Sequence, residues 1–387
     1  MDALLATVPT CADPSAPDVA ELLRSADRVT AAARARTDEL DRSGAFPDRE
    51  VALLHETGLL AAPLPEALGG LGLACGRPEG LAALLRRIGS GDLPLGRLYE
   101  GHVNAAALIA RFGRPDQQER FARLVRQGFM SAVWNAEGQD GLRLLGEGGA
   151  RRLAGSKILA SGAGHLRLPL ITPSLPDRRI AMLCPLLEPG APGDLGGWRV
   201  QGMRASATGT VDFTGLDVTE DAIIGAPGDY LREPWFKGGA WRFAAVQLGA
   251  IEGLVDILRT HLTEAGRDGD PHQRMRFGEA LIAIQGAGGM VRRAAALAET
   301  SDRPPEEIVA FVDLTRCAVE RAGMEAIAIV QRSIGLSAML ERHPAERAMR
   351  DLATYLRQPG PDAALTSAAA FVLGARSRRL EELWCIP

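Results

Sequence analysis

The spacing with the most chemical content in this 387-residue chain is Arg274-Met-Arg-Phe277-Gly278, with Gln285 eight residues after Phe277. A guanidinium offers a planar fork of N–H donors that can grip a phosphate bidentately. Alone, Arg274 would read as a solvated helix arginine. Ser161, in a Ser-Gly pair, reads on its own as a turn residue. Asp362 stands before the apolar run that begins at Ala363, where an aspartate commonly caps a helix. The cysteines (Cys11, Cys75, Cys184, Cys317, Cys385) form no CxxC pair, and the six histidines include no HExxH or close pair. That pattern argues against a disulfide framework or a zinc site, and no metal is assigned.

Charge and hydropathy narrow the classes further. A net charge of -4 with basic residues interleaved among acids gives no footprint for nucleic acid. No stretch of 18 apolar residues marks a membrane span. Met1 to Pro17 lacks a basic flank before its apolar residues, unlike a signal peptide, so a cytoplasmic protein is expected.

The elements that must position these residues fall into three blocks: an N-terminal helical domain over 1–127, a small antiparallel β-domain over 128–230, and a four-helix-type bundle over 231–387. Helical stripes run through 18–42, from Phe46-Pro47-Asp48 to a stop at Gly58, and from about Pro78 to Arg126. Strand patterns follow at Gly155–Ser161, Ile180–Pro185 and Thr210–Val218, the last broken by a Thr-Gly turn. Long helices then return. Ala244, Leu248, Ile251, Val255, Leu258 and Leu262 repeat at helical spacing, as do Phe277, Leu281, Ile284, Gly288 and Val291. Further helices fit Pro304 to about Gln331, 345–357 and 363–379. The class is α+β, mainly α.

Five segments in order resemble the acyl-CoA dehydrogenase family. They are Phe46-Pro-Asp-Arg-Glu-Val with the Pro-Glu-Ala-Leu-Gly-Gly loop beyond it, Leu153-Ala-Gly-Ser-Lys157-Ile-Leu-Ala-Ser161, Gly202-Met-Arg-Ala-Ser-Ala-Thr-Gly, Arg274-x-x-Phe277-Gly278 with Gln285, and Glu346-Arg-Ala-Met-Arg350-Asp351. The resemblance implies an FAD-dependent oxidoreductase. Arg274, Phe277 and Gln285 would reach a neighbouring subunit's FAD, hence a homodimer or homotetramer. It also implies that Ser161 offers its hydroxyl near the flavin N5 and that Trp134 stands beside the ring. Gln331 and Gly335 match part of a Gln-x-x-Gly-Gly element in which Ile334 replaces the first glycine.

The catalytic base of the family is not where the resemblance puts it. Eight residues after Asp351 stands Pro359, and the alternative position falls at Gly239; neither is a carboxylate. Asp140 lies where the family has a Ser serving the flavin phosphate or thioester. Catalytic residues are therefore left unassigned. The main expectation is oxidation of an acyl thioester or related small molecule through an unusual base. The alternatives are a monooxygenase using O2 and reduced FMN or FAD supplied by a reductase, which does not need the glutamate, and a non-catalytic member.

Overall fold

The computed structural model describes residues 17–146, 150–191 and 193–384. Cys11, Cys385 and the segment Met1–Ala16 lie outside the described residues.

Five helices come first: α1 (Pro17–Ser43), α2 (Asp48–Glu56), α3 (Pro78–Gly91), α4 (Leu93–Phe112) and α5 (Pro115–Arg126). Proline stands within the first two positions of α3, α4 and α5, where its missing N–H costs no hydrogen bond. Pro47 instead occupies the N-cap of α2. The buried Asp92 carboxylate caps α4 by accepting the Leu95 N–H at 2.8 Å.

The described strands all fall between Ser131 and Ile224: β1 (Ser131–Trp134), β2 (Arg143–Leu145), β3 (Arg152–Ala154), β4 (Ser156–Ala160), β5 (Leu168–Ile171), β6 (Met182–Leu183), β7 (Gly209–Asp212) and β8 (Ile223–Ile224). They make a sheet in the order β1-β5-β6-β8 and two pairs, β2-β3 and β4-β7. Pairing among these strands is antiparallel except for β1 and β5, which run parallel with Ser131 opposite Leu168. Each residue of β5 is buried, the pattern of a strand covered on both faces. The Thr-Gly turn closes β7: the Asp212 carboxylate accepts the Thr214 N–H at 2.9 Å, and Gly215 takes a φ of 87°.

The C-terminal helices are α6 (Trp241–Glu264), α7 (Pro271–Thr300), α8 (Pro305–Ile334), α9 (Pro344–Tyr355) and α10 (Pro361–Gly374). α6 is the central member, and the expected stripe from Ala244 to Leu262 is buried throughout. It crosses α3 at glycine contacts: a methyl group on Gly249 would overlap the Arg86 carbonyl oxygen, and one on Gly89 would overlap that of Val246. The bundle and the N-terminal helices thus share one core.

Two expectations are corrected. Leu281 is exposed rather than buried, because the inward face of α7 runs through Ala280, Ile284, Ala287, Gly288 and Val291. Asp362 does not cap α10. That helix starts at Pro361 with Gly360 in the cap position at a φ of 64°, leaving Asp362 exposed in the first turn.

Candidate active site

Two adjoining cavities, of about 580 and 390 Å³, open where α4, β1, α6 and the loop after α9 meet. They share Glu100 and Asn104 of α4, Asn135 beyond β1, Phe243 of α6, and Gln358 and Pro359 of the loop. The shared wall makes them two lobes of one site.

The floor of that wall is a buried polar chain. Residues three and four apart on a helix lie on one face, which brings Arg97, Glu100 and Asn104 together on α4. Glu100, 2% exposed, accepts from the Arg97 guanidinium at 2.6 Å and from the Asn104 amide. The Asn104 carbonyl oxygen accepts from Arg242 at 3.3 Å, and Arg242 pairs with Glu299, which also accepts the Trp241 indole N–H at 3.2 Å. Charges withdrawn from water survive only when paired in this way, so each side chain of the chain has a fixed orientation.

The smaller lobe is lined by hydroxyls. Thr208 donates to Ser161 at 3.1 Å and lies 2.7 Å from the Ser206 hydroxyl. Behind them the buried Trp134 donates its indole N–H to the Ser161 carbonyl at 2.9 Å. Trp134 packs against Phe213 and lines neither lobe; it holds Ser161 from behind. The Tyr355 hydroxyl in this wall is buried with no hydrogen-bond partner among the described residues. Burial raises its pKa, keeping the phenol protonated.

The larger lobe is walled by Trp235, Phe236, Phe243 and Tyr230. Two carboxylates line it. Glu100 is engaged as described, and Asp313 lies 4.0 Å from Arg316. Burial raises the Asp313 carboxyl pKa, while Arg316 and Lys237 oppose that shift. Arg316 also stacks on Phe243 and donates to the Pro359 carbonyl at 2.6 Å, tethering the loop.

The two positions where a base was sought, Pro359 and Gly239, both line this lobe. The register drawn from the sequence therefore lands on the cavity, and neither position carries a carboxylate. Asp362 lines neither lobe, and Asp140 is exposed. Of the expected cofactor residues, Ser161 alone lines a lobe. Arg274 is exposed on α7, with its Nε donating to the Asp268 carbonyl at 2.7 Å. Phe277 is half-buried and Gln285 exposed on the same helix, and Gln331 and Gly335 are exposed at the end of α8. None of these five lines either lobe.

Sequence reasoning missed Arg97, Glu100, Asn104, Arg242 and the aromatic wall. The available signal was polar residues at helical spacing inside the otherwise apolar run of α4. Among the described residues no group of three His, Cys, Asp or Glu side chains is placed to hold a metal ion, and no helix is long and apolar enough to cross a membrane.

Residues 17–128 match the model of the acyl-CoA dehydrogenase N-terminal domain. The chain is 24% identical over 382 residues to a dibenzothiophene monooxygenase of Mycolicibacterium goodii, covering 87% of this chain and 90% of that protein. A dibenzothiophene monooxygenase of Rhodococcus erythropolis is 28% identical over 301 residues, covering 69% of this chain and 70% of its own length. Among solved structures, TdsC from Paenibacillus sp. A11-2 in complex with FMN and indole superposes with a TM-score of 0.80 at 22% identity, over 91% of this chain and 97% of that one. The N-terminal domain match, and a shared fold that continues through the strands into the terminal bundle, give the chain the acyl-CoA dehydrogenase fold.

Proposed function

We propose that the protein is a flavin-dependent monooxygenase that takes reduced flavin, FMN in preference to FAD, from a separate reductase and oxidises a small aromatic molecule. The observation that carries this reading is the absence, among the described residues that line the two lobes, of an available base. Pro359 and Gly239 stand in the lobe wall where a carboxylate would be needed, while Glu100 and Asp313 are held by arginines. Abstraction of a proton next to a thioester needs a carboxylate free to accept it. Oxygen transfer needs none. Similarity to proteins named as monooxygenases and to a structure holding FMN supports the same reading.

The smaller lobe suits a flavin ring. It offers the Ser161, Ser206 and Thr208 hydroxyls to a polar edge, and the orphaned Tyr355 hydroxyl is a buried donor that a carbonyl or ring nitrogen would satisfy. Reduced flavin, when bound, supplies the electrons that activate O2 for transfer of one oxygen atom. The chain's own residues do the rest. Ser161, braced by Trp134, holds the flavin edge; Asn104, fixed between Glu100 and Arg242, presents a set amide to the junction of the lobes; the aromatic wall orients the substrate and excludes water. Arg274, Phe277 and Gln285 belong to this proposal through a second copy, because α7 displays them outward, and with them the homo-oligomer. Gly286 and Gly289 beside them face open space and permit close approach of another helix.

The test supplies reduced FMN through a flavin reductase, offers indole or dibenzothiophene under 18O2, and measures label in the product by mass spectrometry. Labelled product is expected. Flavin bleaching driven by an acyl-CoA, with no label in any aromatic product, would overturn the reading in favour of a dehydrogenase.

A further inference from the structure

The larger lobe carries more positive charge than its contents require. Four cations line it, Arg111, Lys237, Arg242 and Arg316, against the two carboxylates Glu100 and Asp313. Arg242 and Arg316 are accounted for by Glu299 and Asp313. Lys237 is exposed and lowers the pKa of both Glu233 and Asp313 through its charge. Arg111 differs from the other three. Its guanidinium lies over the Trp235 ring, 4.4 Å from the centroid, and it makes no ion pair or hydrogen bond among the described residues. Partial burial lowers its pKa, so the charge is held at a cost that Glu299, already paired with Arg242, offsets only in part. Stacking on a tryptophan recovers part of that cost. An anion beside the guanidinium would recover more.

The helix sets where that anion would sit. Asn104 and Arg111 are seven residues apart on α4, two turns along one face, with Ala107 and Leu108 between them also lining the lobe. At the helical rise this places Arg111 about 10 Å beyond the junction of the lobes. The separation suits a fused aromatic ring with a short acidic arm, with the ring against Trp235 and Phe243 and its far edge at Asn104.

Taking the larger lobe as the substrate side of the proposed monooxygenase, we infer that it takes aromatic substrates bearing a carboxylate, sulfinate or sulfonate group, which Arg111 binds at the outer end. Neutral heteroaromatics would enter the same lobe but lack this anchor. Arg111 is then a specificity-determining residue that acts on affinity and not on oxygen transfer.

The test is calorimetric binding of indole-3-propionate and of its methyl ester to the whole protein without flavin, so that a failure of the monooxygenase reading is seen separately in the 18O experiment. The acid is expected to bind about tenfold more tightly than the ester at low ionic strength, a difference of about 1.4 kcal/mol. That preference should shrink at about 0.5 M salt, as a half-exposed charge contact requires. In Arg111→Met it should vanish while ester binding is unchanged, which also reports that the variant is folded; Arg111→Lys should keep part of it. Equal binding of acid and ester by the wild type, no detectable binding of the acid, or a preference that survives Arg111→Met and disappears in Lys237→Met would each overturn the inference.

Discussion

The Arg350 guanidinium lies 2.7 Å from the Asp41 carboxylate, joining the last helical segment before the active-site loop to the end of α1 across 309 residues of sequence. The same guanidinium donates to the Gln201 carbonyl at 2.5 Å and pairs with Glu346 within α9. One residue on, Asp351 accepts the Met203 N–H at 2.5 Å and holds that residue at a φ of 61°. Arg350 therefore binds all three parts of the chain. Its two carboxylate partners raise its already high pKa, so the guanidinium stays charged. Replacing it with methionine leaves the buried Asp41 with Arg204 alone, 3.9 Å away, and should cost about 2 kcal/mol. Chemical denaturation of Arg350→Met measures this, and an unchanged midpoint would show the clamp to be ornamental.

Gly249 sits where α6 passes closest to α3. A methyl group there has nowhere to go but into the Arg86 carbonyl, so the helices must separate along a buried face. Gly249→Ala should destabilise by about 3 kcal/mol through overpacking, read as a lowered Tm. Gly286→Ala, on the open face of α7, serves as the matched control and should leave the monomer's stability near that of the wild type.

His343 caps α9 by accepting the Ala345 N–H on Nδ1 at 3.1 Å, with Nε2 3.4 Å from His261 Nδ1. An acceptor nitrogen must be unprotonated, and burial together with the neighbouring His261 lowers the His343 pKa below 6.5. A base with a depressed folded-state pKa contributes stability that is whole above its unfolded value and is lost as pH falls through the folded one. Thermal stability should thus drop below pH 6.5 more steeply in the wild type than in His343→Asn, whose amide caps without titrating. Parallel Tm–pH curves would remove His343 as the cause.

Arg274 makes a single backbone contact and is exposed, so Arg274→Ala should leave the Tm of the monomer unchanged. If α7 of one copy serves the flavin of another, the same variant should raise the flavin Kd about tenfold, or about 1.4 kcal/mol. Fluorescence titration with FMN decides it, and an unaltered Kd would remove Arg274 from the cofactor site.

Helix order and the α6 stripe were legible because burial repeats at the helical period and leaves a regular mark in the residues. Pro359, eight residues after Asp351, and Gly239, the alternative position, both line the cavity wall. Arg97, Glu100 and Asn104 were not legible. A polar residue buried in an apolar helix looks locally like one facing water, and only the arrival of Arg242 from 138 residues away distinguishes the two. Trp235 and Phe236 sit in an irregular segment with no period to betray them. Leu281 misled for the opposite reason: it keeps the helical spacing of a core position on a face that this chain leaves uncovered.

The segment from Leu356 to Gly360 touches both lobes and is held by two backbone-directed bonds, Arg316 to the Pro359 carbonyl and Gln358 to that of Tyr355. Neither tether depends on the side chain at position 359. Mutation can therefore exchange that side chain while the loop keeps its path and the smaller lobe its hydroxyls. Scaffold and side chain are thus separable here: a substitution at position 359 would alter the chemistry of the lobe wall without touching the bonds that hold the loop.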